Sequence, residues 1–385
     1  MNRIILFAAI IIFNWQCTSS TTNKSETENE PDSLGTVQEK DWGSLADKPV
    51  KLYTLTNENG VSAKITNFGG IIVSVVVPDQ QGEMDDVVLG FDTFEDYLNN
   101  NSPYFGAIIG RYANRIYKGQ FSIDETAYQL EVNSPPNHIH GASAGFGKVV
   151  WQSESFTTKA GQGVKLNYTS PDSAGGFPGN LAVEVKYTLT QDDEIMIEYE
   201  ATTDKPTIIN LTNHSYFNLA GHDAGTILDH KIKINANEIT PVDDNLIPSG
   251  ELMEVEDTPF DLRDFKTIGE YINQEHPQLA FAGGFDHNFV LKGNKGSLRT
   301  AAEVKEPNTG RMLTVYTTEP GLQFYAGNFL DGVIGKDDAV YDYRQGFCLE
   351  AQHYPNSPNI ENFPSVVLKP DEVYNQTTIY RFSVE

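Results

Sequence analysis

From about Lys48 onward the chain alternates apolar and polar positions with a period of two. In LAVEVKYTLT, residues 181–190, Val183, Val185, Tyr187 and Leu189 share one face and Glu184, Lys186 and Thr188 the other, the pattern of a half-buried antiparallel strand. EIMIEYEAT repeats it with Ile195, Ile197 and Tyr199. GGIIVSVVVPD (69–79), GVKLNYTSP (163–171), MLTVYTTEP (312–320) and FCLEAQHYP (347–355) read the same way, each bounded by Gly, Pro or Asp turn residues. Helical period is scarce. FEDYLNN (94–100) predicts one short turn of helix, and DFKTIGEYINQ (264–274) a second, with Asp264 as N-cap and Phe265, Ile268, Tyr271 and Ile272 on one face. Neither alternates with strands in a βαβ rhythm. The expectation is an all-β fold, a large antiparallel β-sandwich spanning residues 48–385, with no linker to divide it.

The opening stretch differs. Ile4 to Phe13 is an apolar run behind Arg3, the length of a signal-peptide core and too short for a good membrane span. Cys17 follows, then TSSTTNKSETENEPDS, a composition that builds no core. The expectation is a lipoprotein-like signal peptide over 1–16, lipid attachment at Cys17 and a flexible tether over 17–47. The product would be an exported protein, periplasmic or membrane-anchored, meeting the membrane only through that lipid. Asn14, Trp15 and Gln16 stand where small residues usually precede a lipidated cysteine. The only other cysteine is Cys348, so no disulfide framework holds the fold. A net charge of −26 without any basic block excludes a nucleic-acid partner.

Several strand-like segments carry polar groups that a purely structural strand has little use for. In NLTNHSYFNL, period two sets Asn210, Thr212, His214, Tyr216 and Asn218 on one face. In GGFDHNFVL, Asp286 and Asn288 oppose Phe285, His287 and Phe289; in GLQFYAGNF, Gln323 and Tyr325 oppose Leu322 and Phe324. In GFCLEAQHY, Cys348, Glu350 and Gln352 oppose Phe347 and Leu349. Few ionisable groups on apolar, Gly-punctuated strands suit a concave site on a rigid sheet. FGAIIGRYANRIYKGQF adds Arg111, Asn114 and Arg115, without the context of a phosphate loop. PPNHIHGASAGFGKVVW adds His138 and His140, which alternate to one face; with no Cys, Asp or Glu at ligand spacing, no metal site is expected. His138 and His222 read as loop residues, and Cys348 as an inert small hydrophobe.

Taken together, GRYANRI, HIHGASAGFGKVVW, NLTNHSYFNL, FDHNF, GLQFYAGNF and GFCLEAQ resemble, in order, the motifs of the aldose 1-epimerase (galactose mutarotase) family. The resemblance covers roughly residues 48–385, with Ala142 where a second glycine is common. It implies a β-supersandwich that interconverts the α and β anomers of a free aldohexose such as galactose or glucose, without a cofactor. By motif position Glu350 resembles the catalytic base and His214 the catalytic acid, facing each other across a sugar ring. Asn114, Arg115, His140, Asp286 and Gln323 resemble sugar-binding residues, and Tyr216 lies beside the acid. The chemistry suits these side chains: a carboxylate is ionised near neutrality, and an imidazole holds or releases a proton there. Two alternatives stand beside this reading, a hexose-6-phosphate 1-epimerase on the same fold and a non-catalytic sugar-binding lipoprotein.

Overall fold

The alternating segments pair as their pattern requires. Leu181–Thr190 and Glu194–Thr203 lie antiparallel, with Val185 opposite Tyr199 and Tyr187 opposite Ile197. The structure, a computed structural model, describes Met1 and residues 35–100, 103–294 and 296–385. The signal-peptide and Cys17 expectations lie outside the described residues. Among those described, no helix is long and apolar enough to cross a membrane.

Three antiparallel sheets carry the architecture. The first takes Thr36–Leu45, Lys48–Thr56, Ser62–Thr66, Ile72–Pro78 and Met84–Asp86 in chain order. The second has nine strands, and the C-terminal strand Tyr374–Val384 sits at its centre, bonded to Glu194–Thr203 on one side and to Arg311–Thr317 on the other. Because the last strand stitches early and late segments together, the sheet offers no place to divide the fold. The third runs Met253–Glu254, Ala236–Ile239, Asp286–Leu291, Gly321–Tyr325 and Cys348–Gln352.

Apolar faces of all three sheets merge in one core. Tyr53, Ile65 and Val75 meet Val185, Ile195 and Val315 from the second sheet and Phe289, Leu322, Phe324 and Leu349 from the third. Each such side chain contributes about 1.5–3 kcal/mol on burial. The third sheet thus has its Leu322, Phe324 and Leu349 side anchored, which leaves the opposite side rigid and available.

Three expectations change. Residues 36–45, assigned by composition to the tether, form an edge strand paired with Lys48–Thr56, so the sheet reaches about a dozen residues N-terminal to Lys48. Its turn is Ala46-Asp47, both at positive φ (48° and 64°), the two-residue hairpin geometry usually written Asn-Gly; Trp42 packs on Phe94 and Tyr97. FEDYLNN is a helix, Phe94–Asn100. DFKTIGEYINQ yields only Ile268–Tyr271 with Thr267 at the N-cap, because Lys266–Thr267 pairs as an edge strand with Lys231–Ile234 and competes for the backbone Asp264 would have capped. NLTNHSYFNL is strand only at Thr212–Asn213. There the asparagines replace the ladder: Asn210 donates to the carbonyls of Ala113 and His353, Asn213 to Gly106, and Asn218 to Gly225 and Gln345. Buried irregular backbone needs such partners, and this accounts for the density of amides in the segment.

Candidate active site

Strand register builds the floor of the site. Gln323 pairs with Asn288 on one side and Glu350 on the other, while Tyr325 pairs with Asp286 and Cys348. Directly opposed residues share a face, so two rows of polar side chains, Asp286-Tyr325-Cys348 and Asn288-Gln323-Glu350, lie opposite the core. Above them is a cavity of about 200 Å³ whose walls include Glu350, Asp286, His214, His140, Asn114 and Arg115.

His214 enters from the irregular segment, fixed by its backbone: its N–H donates to Ala107 O and its carbonyl accepts from Gly106 N. Its Nε2 lies 3.7 Å from Glu350 Oε1. Both are nearly sealed from solvent, His214 at 5% and Glu350 at 2% exposure. The two meet directly, too close for a sugar ring to lie between them, so the expectation that they face each other across one is corrected.

His140 and Asn114 hold each other. His140 N–H donates to Asn114 O, and Asn114 N–H donates to His140 Nδ1 at 3.1 Å. Both sit at positive φ, 55° and 64°, a conformation that costs on the order of 1 kcal/mol for a non-glycine residue and is kept where the surroundings impose it. Ala142, the departure from a double glycine, also takes positive φ, 52°, so the loop keeps a backbone that glycine adopts at lower cost.

The electrostatics follow from burial. Glu350 is pushed well above the usual carboxylate range, by burial first and the Asp286 charge second, with Arg115 opposing. Asp286 is raised by burial against the pull of Arg115 and a 2.6 Å hydrogen bond from Gln323 Nε2. Burial lowers His214 to about 4, partly offset by its own backbone carbonyl. His140 is lowered well below its ordinary value by burial, His214 and Arg115. Burial therefore favours the neutral form of each, a protonated carboxyl beside an unprotonated imidazole.

Donor atoms of His140, His214 and Glu350 come within 4.8 Å of one another. As a metal site the set is a poor fit. His140 Nδ1 already accepts from Asn114 N–H, which puts the ring proton on Nε2 and makes the free nitrogen a donor. What that nitrogen suits is a ligand oxygen.

The structure sorts the sequence candidates. Glu350, His214, Asn114, Arg115, His140, Tyr216 and Asp286 line the cavity. Gln323 stands behind Asp286 and orients it. Arg111 does not join Arg115: it is buried and donates to the carbonyls of Ser170, Pro171, Pro178 and Gly179. His138 turns away from His140, its Nδ1 on Glu131 O and its Nε2 accepting from Gly141 N–H, because the chain leaves strand geometry at His140. His222 is buried rather than a free loop residue, with Nδ1 3.0 Å from Tyr341 OH. Cys348, read as inert, lies 3.6 Å from His214 Nδ1. Tyr104 was missed altogether; its ring packs against His140 and His214, and the Pro103-Tyr104 loop carries no period to betray it.

A buried carboxyl–imidazole pair beneath a small polar cavity is the arrangement of an acid–base enzyme for a small, hydroxyl-rich ligand. The family profile described as aldose 1-epimerase matches residues 51–381, and the chain belongs to that family. It is 47% identical to galactose mutarotase from Bos taurus, over 83% of this chain and 90% of that one. It is 37% identical to aldose 1-epimerase from Escherichia coli K12, over 88% and 96%. Among solved structures it is similar to galactose 1-epimerase from Lactobacillus acidophilus NCFM, with a TM-score of 0.81 at 29% identity, covering 91% of this chain and 99% of that one.

Proposed function

We propose that the protein is an aldose 1-epimerase that interconverts the α and β anomers of free aldohexoses, with Glu350 as base and His214 as acid. The observation that carries this reading is the 3.7 Å contact between Glu350 Oε1 and His214 Nε2 at the cavity floor. Ring opening removes the proton of the anomeric hydroxyl and delivers one to the ring oxygen. Both oxygens are bonded to C1, so base and acid must stand side by side, as these two do.

The proton count closes. The ionised pair, carboxylate and imidazolium, takes one proton from the anomeric oxygen and gives one to the ring oxygen. The C1–O5 bond breaks, C1 becomes an aldehyde, and the pair is left as neutral carboxylic acid and neutral imidazole. Rotation about C1–C2 presents the other face, and the same two transfers in reverse close the ring and restore the ionised pair. Burial favours the neutral pair, the state that accompanies the open-chain sugar, and makes the ionised pair that begins ring opening the costlier of the two. General acid–base catalysis supplies on the order of 10²–10⁴-fold per group.

The remaining residues bind. Asp286 accepts from sugar hydroxyls, with Gln323 holding its carboxylate; His140 Nε2–H and Arg115 donate to sugar oxygens; Tyr216 and Asn114 complete the wall. Arg115 is the only Lys or Arg among the described residues lining the cavity, and the Asp286 and Glu350 carboxyls share that space. This disfavours a hexose 6-phosphate, whose dianion calls for clustered cations. A non-catalytic sugar-binding role leaves the juxtaposed acid and base without a task.

Ile4 to Phe13 followed by Cys17 supports export and lipid attachment; these residues precede the span matched by the family profile. Cys17→Ala is expected to release the protein from the membrane fraction; a variant that stayed there would contradict the anchor. Polarimetry of freshly dissolved α-D-galactose and α-D-glucose tests the activity. Rates above the buffer value are expected, and rates equal to it contradict the reading.

A further inference from the structure

Each ring nitrogen of His214 has its own side-chain neighbour: Nε2 faces Glu350 Oε1 at 3.7 Å, and Nδ1 faces Cys348 Sγ at 3.6 Å. Resting on the reading of His214 as the acid, we propose that Cys348 is a positioning residue for that step. Its sulfur accepts the Nδ1–H, keeps Nε2 aimed at the sugar's ring oxygen, and leaves the imidazolium a ready proton donor.

The placement is built into the strand. Cys348 and Glu350 are alternate residues of Cys348–Gln352 and emerge on the same face, so one strand presents the base to one end of the imidazole and the thiol to the other. Cys348 is 0% exposed and does not line the cavity. It acts on the sugar only through His214.

The chemistry depends on the thiol's weakness. A carboxylate or carbonyl behind a histidine holds its proton and raises its basicity; a neutral thiol is a weak acceptor. Burial, then the Glu350 and Asp286 charges, push Cys348 well above the ordinary thiol range, so the group stays S–H. Through the cycle the Nδ1 proton remains on the ring, directed at sulfur, and only the Nε2 proton moves. No bond to sulfur forms or breaks. The other ring neighbours of His214 are His140, Tyr104 and Tyr216. His140 has its Nδ1 committed to Asn114, and both tyrosines meet the His214 imidazole ring to ring, which leaves the Cys348 sulfur as the partner at Nδ1.

The test compares the wild-type full chain with Cys348→Ala, Cys348→Ser and His214→Gln, using mutarotation kinetics and ¹⁵N NMR of the His214 ring. Cys348→Ala is expected to lower kcat on the order of ten-fold with KM changed by less than about two-fold, and to lose the Nδ1–H signature. Cys348→Ser, a harder acceptor, is expected to recover most of kcat and to move the acidic limb of its pH profile upward. A Cys348→Ala protein with wild-type kcat and an unchanged His214 spectrum overturns the proposal, whether or not its melting temperature falls. If His214→Gln keeps wild-type turnover, the acid assignment fails instead, an outcome separable from failure at Cys348.

Discussion

Gln323 Nε2 donates to Asp286 Oδ1 at 2.6 Å between neighbouring strands, and the bond fixes how that carboxylate faces the cavity. Gln323 is itself buried and touches the ligand space only through Asp286. Replacing it therefore disturbs binding before chemistry. Gln323→Leu is expected to raise KM about ten-fold with a smaller change in kcat, measured from initial mutarotation rates over a range of sugar concentrations.

The pH dependence of turnover follows from the two burial-driven shifts. The pair works with one proton; a second converts it to carboxylic acid plus imidazolium and removes the base. Because burial lowers His214 to about 4, that loss is expected near pH 4 rather than near the ordinary histidine value of about 6.5. On the alkaline side, the pair loses its single proton only above the usual carboxylate range, since Glu350 is raised. A kcat profile with its acidic midpoint near 6.5 would contradict the buried pair.

Arg111 and Arg115 occupy one short motif and do different work. Arg111→Met leaves the carbonyls of Ser170, Pro171, Pro178 and Gly179 without their donor, and is expected to destabilise the fold by about 3 kcal/mol or more. Arg115→Met is expected to leave the denaturation midpoint nearly unchanged and to raise KM. Urea unfolding and kinetics on both variants check the contrast; equal losses of stability would contradict it.

Much of this was legible in the chain because alternation records which side of a strand each residue occupies. It correctly put Asp286, Gln323 and Glu350 opposite Phe289, Phe324 and Leu349. Register is a different matter: that Glu350 pairs with Gln323 and Gln323 with Asn288 depends on three distant segments stopping at matching points, and no local pattern encodes it. Alternation failed where the chain leaves extended geometry, at His140 with its positive φ, so His138 and His140 part company. It was silent on the edge strand 36–45, whose residues are largely exposed and whose turn is Ala-Asp. The difference between Arg111 and Arg115 lies in carbonyls contributed from residues 170–179, invisible from the motif. For Cys348 the side was legible, but its 3.6 Å contact with His214 was not, because His214 arrives from an irregular segment.

The central claim is that the adjacent Glu350 and His214 open and close the sugar ring. NMR saturation transfer between the α- and β-anomeric protons of glucose or galactose at equilibrium measures that step directly, without any coupled reaction. Wild-type protein is expected to transfer saturation between the two signals, while folded Glu350→Gln and His214→Gln each lose at least about 10²-fold of that exchange rate. Exchange at the wild-type rate in either folded variant would contradict the account.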